Sequence, residues 1–539
     1  MPAARLLAWV LIGLAPATAA GQDALPSFAE LEAAGAVIGA IEVRTEDVFD
    51  LDDPRENNYL YRLANRLHIN TRPWLIRRML LFRSGERVQR RVIEETDRVI
   101  RAGAPVYDVS ITPTRYENGV VDILVRTRDT WTLDPSVSLS RKGGVNTGGF
   151  SLKEGNFAGT GTALEIERSR DADRTGSHLK LGHDHLIDGW TRLAFDWADF
   201  SDGSSLSLAA DRPFYSLDAR WAGGASYSRF DRTDALHRNA EEVGEYRRRH
   251  RSFDTHLGWS PGRLGRWTHR YSVGVSYAED SYTPSDERPP PVSIPADRTL
   301  AGPYLRYQLL EEDFLRVYNR DRIQRPEDLS MGWQASVQLG RSLESFGASE
   351  QPWQLSASLA KGFRTPGDAQ LLASLSYGGQ YGAAGRDVRA LGASARYYHP
   401  QTSAFLLFFS ARVDAVTTAS AADELLLGGD NGVRGYPSRY QSGVRRAVFT
   451  IEERYYTDWY PFHLFRVGWA LYCDIGRAWG GELPNATPGW LSNIGFGVRV
   501  LSARASSGNV AHIDLAIPLH RTDPEIDARQ FVVMTSATF

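Results

Sequence analysis

The stretch "RVGWALYCDIG", residues 466–476, decides how the rest of the chain reads. Val467, Trp469, Leu471, Cys473 and Ile475 fall on one face; Arg466, Gly468, Ala470, Tyr472 and Asp474 fall on the other. A period of two is a strand. A strand of a soluble sandwich also alternates, with its polar side chains outward. Here one face holds aromatic and aliphatic side chains with almost no charge over about ten residues, the length of a membrane-spanning strand, and the opposite face is polar and glycine-rich, as a wet lumen requires.

The same pattern extends in both directions. In "GWLSNIGFGVRV" (489–500), Trp490, Ile494, Phe496, Val498 and Val500 oppose Asn493, Gly495, Gly497 and Arg499. In "VAHIDLAI" (510–517), Ala511, Ile513, Leu515 and Ile517 oppose His512 and Asp514. The chain finishes inside such a segment, "QFVVMTSATF", with Phe531, Val533, Ala537 and Phe539 on one face. Chain ends usually fray. A closed barrel instead needs its last strand to meet its first, so Phe531 and Phe539 are read as closure residues. From residue 131 onward the chain divides into roughly twenty such segments. Short connections ("NFAGTG", "HLIDG", "GFRTPGD", "HPQTS") interleave with longer ones, among them 230–247 and the proline-rich 280–298. An even strand count puts both ends of the barrel region on one side. The connection 310–331 is long for a turn on that side, which leaves room for a count lower by one or two hairpins.

Ahead of residue 131 the pattern is different. Residues 1–20 carry one positive charge, the apolar core "LLAWVLIGLA" and the small residues Ala17 to Ala19, a secretory signal. That core is shorter than the roughly 20 residues of a spanning helix. Residues 36–130 read as a small α+β domain in the order strand, helix, helix, strand, strand. Thr71 is the expected cap of a helix with Pro73 in its first turn. Val88, Val92, Thr96 and Val99 lie on one face of a second helix, with Gly103 closing it. Tyr107, Val109 and Ile111 pair with Val121, Ile123 and Val125 across a turn at "ENG". Residues 50–70 form an insert that is partly helical. The 539 residues carry a net charge of −3 and one cysteine, Cys473, which excludes an intramolecular disulfide and gives no reason to expect nucleic acid as partner.

One loop stands apart. "GGDNGVRGYPSRYQSG" (428–443) is glycine-rich, yet places Arg434 between Val433 and Gly435, with Tyr436 next. A phosphate cradle, a surface loop and a buried plug are its three readings. A phosphate cradle lacks the Lys-Ser/Thr pair and the βαβ setting. On the following strands Glu452 and Asp474 point inward by alternation. "HDH" (183–185) puts two histidines on one face at a strand end, too few for a metal site and read as structural. "YRRRHR" (246–251) is a basic cluster near an outer loop, read as solvated arginines or, less simply, as a site for lipid phosphates. No G-x-S-x-G occurs, and nothing locates a hydrolase.

Taken together, the signal peptide, the single β-α-α-β-β module and the barrel ending in Phe539 resemble the BamA/TamA superfamily of outer-membrane proteins. The module is similar to a polypeptide-transport-associated (POTRA) domain. "GVRGY" resembles the motif of the superfamily's long sixth extracellular loop, and five candidate strands follow it, as in the family. "EGNFAGTG" (154–161) is similar to its early periplasmic turn. The resemblance covers nearly the whole mature chain. It implies a transmembrane antiparallel β-barrel over 131–539, of 16 strands where segmentation gives up to about 20, with one periplasmic domain. It implies that Val433, Arg434, Gly435 and Tyr436 fold into the lumen, Arg434 meeting Asp474, Glu452 or both, with Tyr436 packed beside it. It implies a monomeric barrel in the bacterial outer membrane that assists insertion or translocation of unfolded outer-membrane or secreted clients, with outer-membrane lipid and periplasmic proteins as partners, no cofactor, no metal and no enzymatic step. Single rather than multiple POTRA-like modules, and the 50–70 insert, depart from the family. The competing reading is a passive channel or surface-exposed structural barrel.

Overall fold

The computed structural model describes residues 25–103, 105–171, 173–382, 387–417, 424–482, 484–485, 487–504, 509–521 and 526–536. The expected signal segment and Phe539 lie outside them.

Residues 28–129 form the small α+β domain. Its sheet has the order Val37–Glu46, Val120–Asp129, Val106–Glu117, the first pair parallel and the second antiparallel. Asn118 and Gly119 sit at φ 51° and 78°, the left-handed pair of a tight hairpin turn. Helices Phe28–Ala33, Pro73–Arg78 and Arg90–Gly103 cover the sheet and bury Leu31, Ile76, Met79, Ile93 and Ile100 against Val121 and Ile123. Two helix details differ from the sequence reading. Arg72, not Thr71, is the N-cap, and it makes no side-chain cap bond; the Thr71 N–H donates instead to Asp129 Oδ2 at 2.6 Å. The buried stripe of the long helix is Ile93, Thr96 and Ile100, because Val88 precedes the helix in an extended segment whose N–H donates to the Ala36 carbonyl. Residues 50–70 hold a nine-residue helix, Tyr59–Leu67.

Residues 133–536 close into an antiparallel barrel. The ring contains twenty-two paired segments, of which Arg263–Leu264 and Leu425–Leu427 are short side segments, leaving twenty strands. The sixteen implied by the resemblance are therefore corrected to the twenty that segmentation gives. Closure is made between Gln530–Ser536 and Leu133–Lys142, where Val533 lies opposite Arg141 and Ser140 Oγ donates to the Val533 carbonyl at 2.6 Å. Alternation sets two faces. Leu471, Ile475, Ile494, Phe496, Ile513, Leu515 and Phe531 are exposed on the outside, an apolar band suited to lipid hydrocarbon, while Tyr472, Asp474, Asn493, Arg499 and Asp514 are buried inside.

Two long connections behave differently from their sequence reading. Residues 230–247 are no loop: Trp221–Arg238 and Glu241–Trp259 stay paired to Arg238 opposite Glu241. Charge bridges this hairpin, since Arg247 and Arg249 reach Asp231 at 2.6 and 3.3 Å, and ties it to the next strand, Trp267–Pro284, where Arg248 reaches Asp280 at 2.9 Å and Arg251 reaches Glu279 at 2.6 Å. The basic cluster 246–251 is thus committed to cross-strand carboxylates. Connection 310–331 is long because it carries its own hairpin, Phe314–Tyr318 with Pro326–Ser330. The hairpin tip enters the lumen from the small-domain end and buries Ile323 against Tyr398, Leu406, Tyr456 and Ala470.

The small domain docks on the adjacent rim of the barrel. Asn156, at the end of the second barrel strand, Val145–Phe157, donates to Thr71 Oγ1 at 2.8 Å and accepts from the Gly161 N–H at 2.7 Å. Asp129 at the end of the domain's sheet accepts from Thr71 and faces His68 Nε2 at 3.0 Å, all three groups buried. Asp129→Ala is expected to orphan these donors at a cost of about 1–3 kcal/mol. Tryptic cleavage of the purified protein at Arg62 and Arg66 should accelerate while the heat-modifiable migration of the barrel stays unchanged; an unchanged cleavage rate would count against this docking.

Candidate functional site: a pinned loop inside the barrel

After the fifteenth strand, Phe405–Thr417, the chain pairs Leu425–Leu427 with Gln441–Gly443 and turns into the lumen between them. Local bonds make the loop compact. The Val433 N–H donates to the Gly428 carbonyl at 3.0 Å and the Tyr436 N–H to the Val433 carbonyl at 3.1 Å. Asn431 Oδ1 accepts from Gly428 at 2.8 Å. Glycine is needed at 435, where a Cβ would stand 2.7 Å from the Asn493 Cβ. Its free N–H donates to Asn493 Oδ1 at 3.1 Å.

Arg434 is the centre of the site, 8% exposed. Its Nε donates to Asp474 Oδ2 and its Nη2 to Asp474 Oδ1, both at 2.8 Å, a two-pronged contact. Nη2 also reaches Glu452 at 3.0 Å and Nη1 reaches Asp514 at 3.1 Å. The guanidinium carbon stands over the Tyr472 ring, 3.3 Å from its centre. Thr450 Oγ1 and Asn493 Nδ2 donate to Asp474 at 2.9 Å each, so its remaining lone pairs are occupied. Two further buried arginines complete the balance. Arg499 pairs with Asp514 and lies 3.8 Å from Glu452; Arg454 Nε donates to Glu452 Oε2 at 2.9 Å. Three guanidinium groups therefore neutralise three carboxylates in one contiguous buried network.

The structure places the sequence-selected residues as follows. Arg434, Glu452 and Asp474 meet. Val433 is buried beside Leu427. Tyr436 is buried, yet it is not the packing partner of Arg434, which is Tyr472. Lying two residues further along the turn, Tyr436 packs at 6.0 Å on Tyr440 and donates to the Ser492 carbonyl at 3.0 Å. Phe531 faces outward, away from this site. His183 and His185 sit at the end of strand Thr175–Leu186, where His185 Nδ1 is 2.8 Å from the Gly189 carbonyl in the turn that follows and its ring stands edge-on to Trp190. Among the described residues, no group of three or more His, Cys, Asp or Glu is arranged to hold a metal.

Sequence reading missed Asp514, Arg499, Arg454 and Tyr472 as members. The available signal was the pair of inward glycines, Gly495 and Gly497. A Cβ on Gly495 would collide with the Tyr472 ring, and one on Gly497 with the Asp514 carboxylate. The glycines mark where neighbouring strands need lumenal room for large side chains.

The network continues to the opposite end of the lumen. Arg454 Nη1 donates to the Arg320 carbonyl at 2.7 Å, and Asp321 accepts from Tyr398 and Arg396 at 3.0 Å. Arg320 and Asp321 belong to the hairpin tip that enters from the small-domain side. At the distal end, the Ser438 N–H donates at 2.9 Å to the carbonyl of Gly143, in the turn of the first barrel hairpin. A Cβ at Gly143, which sits at φ +53°, would collide with the Ser438 backbone.

No protein-family model and no curated protein matches the sequence. Solved structures do match. CdiB from Escherichia coli aligns at 13% identity and TM-score 0.48, over 92% of this chain and 76% of that one. CdiB from Acinetobacter baumannii aligns at 13% and 0.44, over 93% and 73%. BamA from Haemophilus ducreyi lacking POTRA domains 1–3 aligns at 12% and 0.39, over 92% and 84%.

Removing one partner of a buried ion pair costs about 3–5 kcal/mol because the other charge is stranded. Arg434→Ala is thus expected to release the loop, seen as faster hydrogen exchange across residues 428–440. Arg434→Lys should fall between, since an ammonium keeps the charge and loses the two-pronged fit. Exchange in Arg434→Ala matching the parent protein would remove the pin from the account.

Proposed function

We propose that this chain is a bacterial outer-membrane protein that assists the insertion or translocation of client polypeptides. The small domain is read as a POTRA domain in the periplasm, and the 428–443 loop as the element that closes the lumen. The observation that supports this best is the bond from Ser438 to Gly143, which clasps the loop to the first barrel hairpin beside the closure seam. Parting of the seam and withdrawal of the loop then become linked events.

Two further features fit. Val106–Glu117 is an edge of the small sheet, with a regular run between the ladder irregularities near Asp108 and Pro113. An extended client can add there through main-chain bonds, giving affinity with little sequence readout. The first barrel strand carries Ser136 and Ser140 at the seam, where a polar, small-residue edge is more easily parted than a packed apolar one. The proposed role makes and breaks no covalent bond, and its partners are outer-membrane lipid and unfolded polypeptide.

The test is an Arg141→Cys, Val533→Cys pair, whose residues lie opposite one another at the seam. Under oxidising conditions the locked protein should fail to restore the outer-membrane proteins lost on depletion, and reductant should restore them. If depletion leaves every other outer-membrane protein at its normal level, and planar bilayers show steady conductance that Arg434→Ala does not alter, the passive-barrel reading replaces this one.

A further inference from the structure

The insert at 50–70 has a physical role that the loop and the seam do not explain. Its helix, Tyr59–Leu67, is capped by Asn58, whose Oδ1 accepts from the Tyr61 N–H at 3.0 Å. At 100° per residue the helix has three faces. One is docked: Tyr61 stacks on Phe49 at 4.1 Å and donates to the Phe462 carbonyl, and Asn65 exchanges two bonds with the Phe49 backbone at 2.8 and 3.1 Å. The second is apolar and bare: Leu60 is 68% exposed and Leu67 66%, with Leu63 between them and Tyr59 beside them. The third, flanking the second, carries Arg62 and Arg66, both exposed.

Position decides what covers the bare leucines. Leu67 and Ile69 line an apolar groove together with Leu133, Leu152, Phe157 and Ile166. Those four side chains are exposed on the outer surface of the first three barrel strands and belong to the barrel's apolar band. On the far side of the helix, Trp459 and Phe462, in the turn between the sixteenth and seventeenth strands, are also exposed. The helix therefore lies along the barrel rim below the seam, its apolar face continuous with a surface that a bilayer already covers. An amphipathic helix with leucines on one side and arginines along the edge is the composition of a segment lying in the headgroup and acyl boundary, with arginine stems reaching back to lipid phosphates.

We infer that Tyr59–Leu67 is an interfacial anchor that lies in the phospholipid leaflet on the small-domain side and holds that domain under the seam. The inference needs only a membrane-embedded barrel and stands whether or not clients are inserted. The test uses the full chain with Leu63→Cys in a Cys473→Ser background, labelled with bimane and placed in nanodiscs of phosphatidylethanolamine and phosphatidylglycerol. Heat-modifiable migration checks that the barrel has folded. Lipid-borne doxyl groups should quench this label several-fold more than a Glu117→Cys label at the far tip of the domain, and aqueous iodide should do the reverse. Adding Arg62→Glu and Arg66→Glu should lessen the doxyl quenching when phosphatidylglycerol is present. Iodide access at 63 equal to that at 117 would place the helix in water and overturn the inference. Shielding of 63 from both quenchers would place a protein surface there and overturn it as well.

Discussion

A buried guanidinium cannot stand alone, and this constraint organises the lumen. Arg434 arrives on a loop, far in sequence from its acceptors on three strands: Glu452, Asp474 and Asp514. Each charge is costly to remove from water, and each cost is offset only when the others are present with good geometry. The seat over the Tyr472 ring and the two-pronged contact with Asp474 fix one loop position rather than a range of them. A ring of twenty strands leaves more interior than wall side chains alone can fill. Here the space is occupied from both ends, by the 428–440 segment and by the tip of the 314–330 hairpin, and the two insertions meet the same acid, Glu452, through Arg434 and Arg454.

The barrel and the small domain were largely legible in the sequence because both follow simple periods. Alternation placed Glu452 and Asp474 inward, and the segment count survived where the family's sixteen strands did not. The failures share a cause: sequence patterns describe a strand's own faces and not what stands opposite. Residues 230–247 looked like a loop because their charges break the apolar pattern, yet Arg247 and Asp231 pair across the hairpin and keep it a sheet. Tyr436 is two positions from Arg434 in sequence, and Tyr472 is its neighbour in space. Asp514 lies 80 positions away from Arg434, and only the register that sets Gly497 opposite Asp514 brings it into the cluster.

The 310–331 connection and the 50–70 insert looked like irregularities and prove to be the joints of the molecule. The hairpin in the first is held to the small domain by Arg101 on Asp328 at 2.7 Å and by Arg98 over the Phe314 ring at 4.5 Å. The insert is held to the barrel by the buried pair of Glu56 and Arg504. Both contacts lie on the rim, so the small domain is tied to the inner plug on one side and to the rim below the seam on the other. Its orientation is set by several separate contacts, each modest and each far along the chain from the others.

The charge balance also sets what withdrawal of the loop would require. With Arg434 in place, three arginines face three carboxylates. If the loop withdraws, Arg454 still holds Glu452 at 2.9 Å and Arg499 still holds Asp514, but Asp474 keeps only the neutral donors Thr450 and Asn493. A carboxylate left in a dry interior is far more expensive than one reached by solvent. The loop therefore cannot leave Asp474 charged in a dry cavity: either water follows to hydrate it or the carboxylate takes up a proton. Because Glu452 retains Arg454, the inner hairpin loses none of its own direct contacts in this step. The two insertions share an acid, yet withdrawal of the 428–440 segment would leave the bonds of Arg454 to Glu452 and to the Arg320 carbonyl in place.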